Sequence, residues 1–125
     1  MAKILIVEDN DDNMKLFRTI LTLKHHEIIE RADGERLKES IGHENPDLVL
    51  MDIQLPGQDG FALLESIRSS AVPDCRVVAL TAHAMAGDRE RALEAGFDGY
   101  ITKPIDIRTF PSQIERALAG ETVTE

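Results

Sequence analysis

The chain has 125 residues, of which 42% are hydrophobic and 30% charged, and a formal net charge of −9. That length fits one domain with one core, and no apolar stretch approaches the ~20 residues that span a bilayer. The acidic balance weighs against sequence-independent nucleic-acid binding, which needs Lys and Arg to displace counterions from phosphates, and against anionic membrane surfaces. A cation or a protein is the more natural ligand. Cys75 is the single cysteine, so an internal disulfide is impossible and a cysteine-based zinc site implausible. It reads as a buried or half-buried thiol.

The first apolar run, Lys3 to Val7, ends in Glu8-Asp9. It is too short for a secretory signal and reads as a strand of a cytoplasmic protein. Met14, Phe17, Ile20 and Leu21 then share one helical face. Glu27 to Arg31 reads as the second strand, Leu37 and Ile41 mark the second helix, and Leu48 to Met51 is the third strand. Leu63, Leu64 and Ile67 mark the third helix, and Arg76 to Leu80 is the fourth strand. A fourth helix over Asp88 to Ala95 stops at Gly96, a residue suited to a left-handed helix end. Gly99 to Thr102 is the fifth strand. Ile107, Phe110, Ile114, Ala117 and Leu118 lie on one stripe of a fifth helix. Pro111 lacks an N–H, so that helix has an irregular first turn or starts after Asp106. The expected domain covers residues 1–120, with 121–125 as a frayed tail and no output domain.

The first, third and fourth strands are continuously apolar, as parallel strands buried on both faces are. Alternating strands and helices then predict an α/β fold, a doubly wound five-stranded parallel sheet of flavodoxin-like order 2-1-3-4-5. Ligands of such sheets bind at the carboxyl ends of the strands. The residues there are Glu8, Asp9 and Asn10, then Asp52 to Gln54, Thr81 to His83, and Lys103-Pro104.

Glu8, Asp9 and Asp52 converge on that edge and repel one another unless a cation neutralises them. Their all-oxygen chemistry selects Mg²⁺ or Mn²⁺ over zinc. Asp52 ends the most buried strand, and its carboxylate is placed to attack a phosphoryl group once positive charge offsets the repulsion. Lys103 supplies a second cation. Thr81 offers a hydroxyl to a phosphoryl oxygen. An unusual Lys103-Pro104 peptide geometry, cis included, is one way to aim the lysine inward. Asp11 and Asp12 read as caps or solvated turn formers. His25, His26 and His43 lack metal-ligand spacing and read as surface residues.

Glu8-Asp9, Asp52, Thr81-Ala82 and Lys103-Pro104, each after its strand, resemble a response-regulator receiver domain of the CheY-like superfamily over nearly the whole chain. Met51 to Gly60 is similar to that family's phosphoacceptor loop. Glu8 to Phe17 resembles the start of DivK-type single-domain regulators and of receivers in hybrid kinases, so a phosphorelay segment of a hybrid histidine kinase is the alternative reading. The resemblance implies that Asp52 accepts a phosphoryl group from a histidine kinase or phosphotransfer protein. It implies that Asp9, Asp52 and the backbone carbonyl of Gln54 bind Mg²⁺, with Glu8 acting mostly through water. It assigns phosphate contact to Thr81, Ala82 and Lys103, and has Tyr100 follow Thr81 inward. The face of the fourth helix, fifth strand and fifth helix then changes and binds a downstream protein. Gln54 and His83 stand where the family tunes phosphate lifetime. Asn13 and Met14 belong either to core and solvated face or to a kinase-docking surface. Tyr100, read without the family, is a strand residue with its ring half buried and its hydroxyl at the surface. The implied protein is a monomer or weak dimer and a signalling switch rather than an enzyme.

Two other chemistries fit the residues less well. A flavin binder of this fold needs a Ser, Thr and Gly-rich phosphate loop after strand one, where Glu8-Asp9-Asn10-Asp11-Asp12 stands. An aspartate-based phosphatase needs a second acid two residues after its nucleophile, where Gln54 cannot transfer protons.

Overall fold

The computed structural model describes residues 2–34, 37–53, 55, 57, 59–69, 75–82 and 87–124. Strands and helices alternate along the chain. They run β1 (Lys3–Val7), α1 (Asp11–Leu23), β2 (Glu27–Arg31), α2 (Leu37–Glu44), β3 (Leu48–Asp52), α3 (Gly60–Arg68), β4 (Arg76–Thr81), α4 (Asp88–Ala95), β5 (Gly99–Thr102), α5 (Phe110–Leu118) and β6 (Val123–Thr124). All strand pairs are parallel, in the order β2-β1-β3-β4-β5-β6. The flavodoxin-like order expected from the sequence is therefore present, with one strand added beyond β5.

The apolar runs occupy the centre of the sheet. Ile4 to Val7, Leu48 to Met51 and Val77 to Leu80 are fully buried, as helix layers on both faces require. One core lies between the sheet and α2, α3 and α4, and includes Val49, Met51, Leu64, Ile67, Ala92 and Tyr100. The other lies under α1 and α5, where the Phe17 and Phe110 rings stack with centroids 5.5 Å apart. Met14 is buried in this second core. β2 is an edge strand and buries only Ile29. Its exposed Glu27 and Glu30 suit an edge that must not pair with another chain.

Local signals set the boundaries. The Asn10 side chain caps α1 by accepting from the Asn13 N–H at 2.9 Å, and Asp59 caps α3 through the Phe61 N–H at 2.9 Å. Asp11 and Asp12 are exposed in the first turn of α1. Gly96 ends α4 in the left-handed region. The Thr109 and Phe110 N–H groups bond to the Asp106 carbonyl, so α5 starts at Phe110 with Pro111 in its first turn, where no N–H is needed. Ile107 precedes the helix and is exposed rather than on its buried stripe. β3 and β4 each extend one residue further than the apolar runs, because Asp52 pairs with Leu80 and Thr81 with Thr102.

Three further expectations are corrected. Residues 123–124 do not fray: Val123 is fully buried and pairs with Gly99. The polar Glu121-Thr122 before them hides a short strand from sequence patterning. Tyr100 is buried, 3% exposed, in the core cluster of Ala92 and Phe97 under α4, instead of half buried. His26 is buried as well. Its Nδ1 accepts from the Ala2 N–H at 3.1 Å, which leaves Nε2 as the protonated nitrogen facing Glu115 Oε1 at 2.7 Å. Its partners lie far away in sequence, so no local pattern announces it. Cys75 is a buried thiol as expected, pushed up to about 11 by burial. No described helix is long and apolar enough to cross a membrane.

Candidate functional site

Sheet register builds the site. Val7 pairs with Met51, so Glu8 and Asp52 follow side by side at the carboxyl ends of β1 and β3. Lys103 follows β5, and its N–H bonds to the Thr81 carbonyl at 2.7 Å. The Lys103-Pro104 peptide is cis. Behind Asp52, Ile53 is pinned by its N–H to the Leu80 carbonyl at 3.0 Å and by the first residue of α3. A Cβ on Gly60 would stand 2.6 Å from Ile53 Cα, so only glycine permits that approach.

The Lys103 ammonium lies 3.0 Å from Glu8 Oε1 and 3.0 Å from Asp52 Oδ2. Glu8 Oε2 also accepts from the Asn10 N–H at 3.2 Å. Carboxylate oxygens of Glu8, Asp9 and Asp52 lie within 4.8 Å of one another. Glu8 and Asp52 are buried and Asp9 is exposed, so the cluster is open on the Asp9 side. Three carboxylates around one ammonium leave an excess of negative charge. Burial pushes Glu8 above the usual carboxylate range, against the opposing pull of Lys103 and the Asn10 N–H. Burial would lower Lys103, but its hydrogen bonds to Asp52 and Glu8 outweigh that and hold it above its ordinary value. A clustered set of hard oxygen donors, open to water on one side, fits a Mg²⁺-sized cation better than zinc.

Thr81 ends β4 on the same edge and is buried, while Ala82 after it is exposed. Tyr100 sits three residues before Lys103, inside the core under α4 and away from the carboxylates. Gln54 and His83 lie outside the described residues. Asn13 is half-buried and lines a cavity of about 50 Å³ with Leu16, Phe17, Lys103, Pro104 and Ile105. Met14 faces the core rather than that cavity.

Two features escaped the sequence reading. A cavity of about 260 Å³ beside Thr81 is lined by Ile53, Asp59, Phe61, Asp88 and Arg91. The Arg91 guanidinium stands 5.3 Å over the Phe61 ring. At the opposite sheet edge, Arg68 donates to the carbonyls of Cys75 and Gly96 and to Asp98 Oδ2, which also accepts from the Val77 N–H. Both join elements whose approach only the folded chain defines.

A family model described as the response regulator receiver domain matches residues 4–115. The chain belongs to the response-regulator receiver family. The receiver is 38% identical to the polar-differentiation response regulator DivK of Brucella ovis over 116 residues, 92% of this chain and 94% of that one. Among solved structures it resembles a LuxR-family two-component response regulator from an Aurantimonas species, with TM-score 0.89 and 29% identity over 98% of this chain and 89% of that one. A CheY-like receiver domain protein from Methanospirillum hungatei superimposes with TM-score 0.85 and 29% identity, covering 95% and 94% of the two chains.

Proposed function

We propose that this receiver is a phosphorylation switch whose phosphoryl group is carried on Asp52. The observation that supports it most is the Lys103 ammonium held between Asp52 and Glu8 with the Asp9 carboxylate within reach. An Asp52 oxygen attacks the phosphorus of a phosphohistidine on a kinase or phosphotransfer protein. The new O–P bond forms as the P–N bond breaks, and the electron pair returns to the imidazole. Bound Mg²⁺ or Mn²⁺ supplies positive charge that offsets repulsion between carboxylate and phosphoryl oxygens. Asp9, Asp52 and the Gln54 carbonyl would hold the ion, with Glu8 acting through water.

Lys103 is ready for the incoming group because its charge is already desolvated and aimed. The Thr81 hydroxyl and the Ala82 backbone N–H donate to the phosphoryl oxygens. The response then passes to the face made by α4, β5 and α5, which includes Tyr100 and binds a downstream protein. Gln54 and His83 set the lifetime of the modified state. Asn13 flanks the cavity beside Lys103 and belongs to the kinase-facing side. The reading implies a cytoplasmic protein that catalyses nothing beyond its own modification and its reversal.

Incubation with acetyl phosphate and Mg²⁺ followed by intact-mass measurement tests this. One phosphoryl adduct on the wild type, lost in Asp52→Asn, is expected. No adduct, or an equal adduct in the variant, would sink the proposal.

A further inference from the structure

The strand β6 is a built contact. Val123 is fully buried in the same core cluster as Ile101, Phe110, Ile114 and Ala117. Its backbone fits beside β5 because residue 99 is glycine: a Cβ there would stand 2.9 Å from the Val123 carbonyl oxygen. Arg76 holds the approach to the strand, donating to the Ala117 carbonyl at 2.7 Å and to the Glu121 carbonyl at 3.0 Å. The Glu121 N–H returns to the Arg116 carbonyl at 3.0 Å. On the other side of the sheet, the Arg89 guanidinium of α4 lies 3.5 Å from the Thr124 carbonyl. Thr124 is the register partner of Tyr100, whose ring belongs to the core under α4. So β6 touches all three elements of the α4–β5–α5 face and covers the free edge of β5.

We propose that residues 121–124 form a displaceable gate on the α4–β5–α5 face, which keeps Tyr100 buried while docked and opens the β5 edge when released. Among the described residues the gate is anchored by one buried side chain, a two-residue ladder, the Glu121 N–H bond to the Arg116 carbonyl, and contacts from the Arg76, Arg89 and Arg116 side chains. Against them stands the entropy of ordering four residues, which places the segment among parts of a fold that open locally. An open β5 is an unpaired edge with an apolar socket where Val123 sat, so a partner on this face meets or displaces the strand. That last step rests on the proposed switching role of the face.

The chain carries its own probe, since Tyr100 is the only tyrosine and there is no tryptophan. The test uses the full chain as wild type, Gly99→Ala and Val123→Asp. Hydrogen exchange of the 121–124 amides and acrylamide quenching of Tyr100 fluorescence are read together, and the adduct from acetyl phosphate and Mg²⁺ is weighed in parallel. In the wild type the strand amides are protected and Tyr100 resists quenching. In both variants exchange speeds up by about tenfold or more and quenching rises several-fold. Three results overturn the gate: unprotected strand amides in the wild type, unchanged exchange in both variants, or a released strand that leaves Tyr100 equally shielded. Should Gly99→Ala fail to fold because of its approach to Val78, Val123→Asp decides alone. Loss of the Asp52 adduct in the wild type would refute the phosphoacceptor reading and leave the gate decided by the other two measurements.

Discussion

Glu8 shows how a functional site opposes stability. It is buried beside Asp52, and burial raises its pKa above the ordinary carboxylate value. A folded-state pKa above the unfolded one means that the folded chain holds the proton more tightly. The stability this confers is full below the unfolded pKa and is lost as pH rises through the folded pKa. At neutral pH without Mg²⁺, Glu8 is therefore a cost. Glu8→Gln keeps an oxygen for Lys103 and removes that cost, so it should gain about 1 kcal/mol in metal-free urea melts at pH 7. The same variant should bind Mg²⁺ more weakly, and a less stable variant would refute the sign. Lys103 behaves oppositely at neutral pH. Its pKa is raised above the ordinary lysine value, so its contribution is intact at pH 7 and is lost only as pH rises past the folded value. Lys103→Met leaves Glu8 and Asp52 without their shared cation. We expect a loss of about 1–3 kcal/mol at pH 7 in the same melts, shrinking as acid neutralises Glu8.

Between elements, contacts at the two sheet edges do different things. At the carboxyl edge they gather like charges, while at the amino edge they staple the scaffold. Asp98 Oδ2 accepts from both Arg68 and the Val77 N–H, and Arg68 reaches the Gly96 carbonyl that ends α4. Asp98→Ala strands the Val77 N–H and loosens Arg68. It should cost about 2 kcal/mol in equilibrium unfolding and leave Asp52 modification by acetyl phosphate intact. Loss of modification at unchanged stability would contradict a purely scaffolding role. His26 ties the start of β2 to α5 in a similar way, through the Ala2 N–H and Glu115.

At the scale of the whole molecule, the charge of −9 sets the response to ions. A cation that binds only the folded state stabilises it by mass action, about 2.7 kcal/mol at a hundredfold excess over the dissociation constant. Thermal melts across a Mg²⁺ titration should rise accordingly, and the rise should be strongly reduced in Asp9→Asn. An equal rise in that variant would mean that Mg²⁺ acts by general screening and not at the cluster.

The fold was legible because buried parallel strands announce themselves. Lys3 to Val7, Leu48 to Met51 and Arg76 to Leu80 are too apolar and too short to be anything else in an alternating chain, and Gly96 stops α4 as its chemistry requires. The acidic cluster was legible for a topological reason: in a doubly wound sheet, residues after successive strands meet at one edge however far apart they are in sequence. What the sequence did not reveal depends on contacts with no local period. His26 is buried because Ala2 and Glu115 come to it, and Val123 is a strand because Gly99 leaves it a slot. Tyr100 is enclosed in the core under α4, and that strand converts β5 from an edge into an interior position. Sequence alone determined which elements form and which residues share the carboxyl edge, since hydrophobic periodicity and topology are encoded locally. Only the tertiary structure decided how that edge is charged and how the far edge of the sheet is closed, because burial and long-range pairing exist only once the elements have packed.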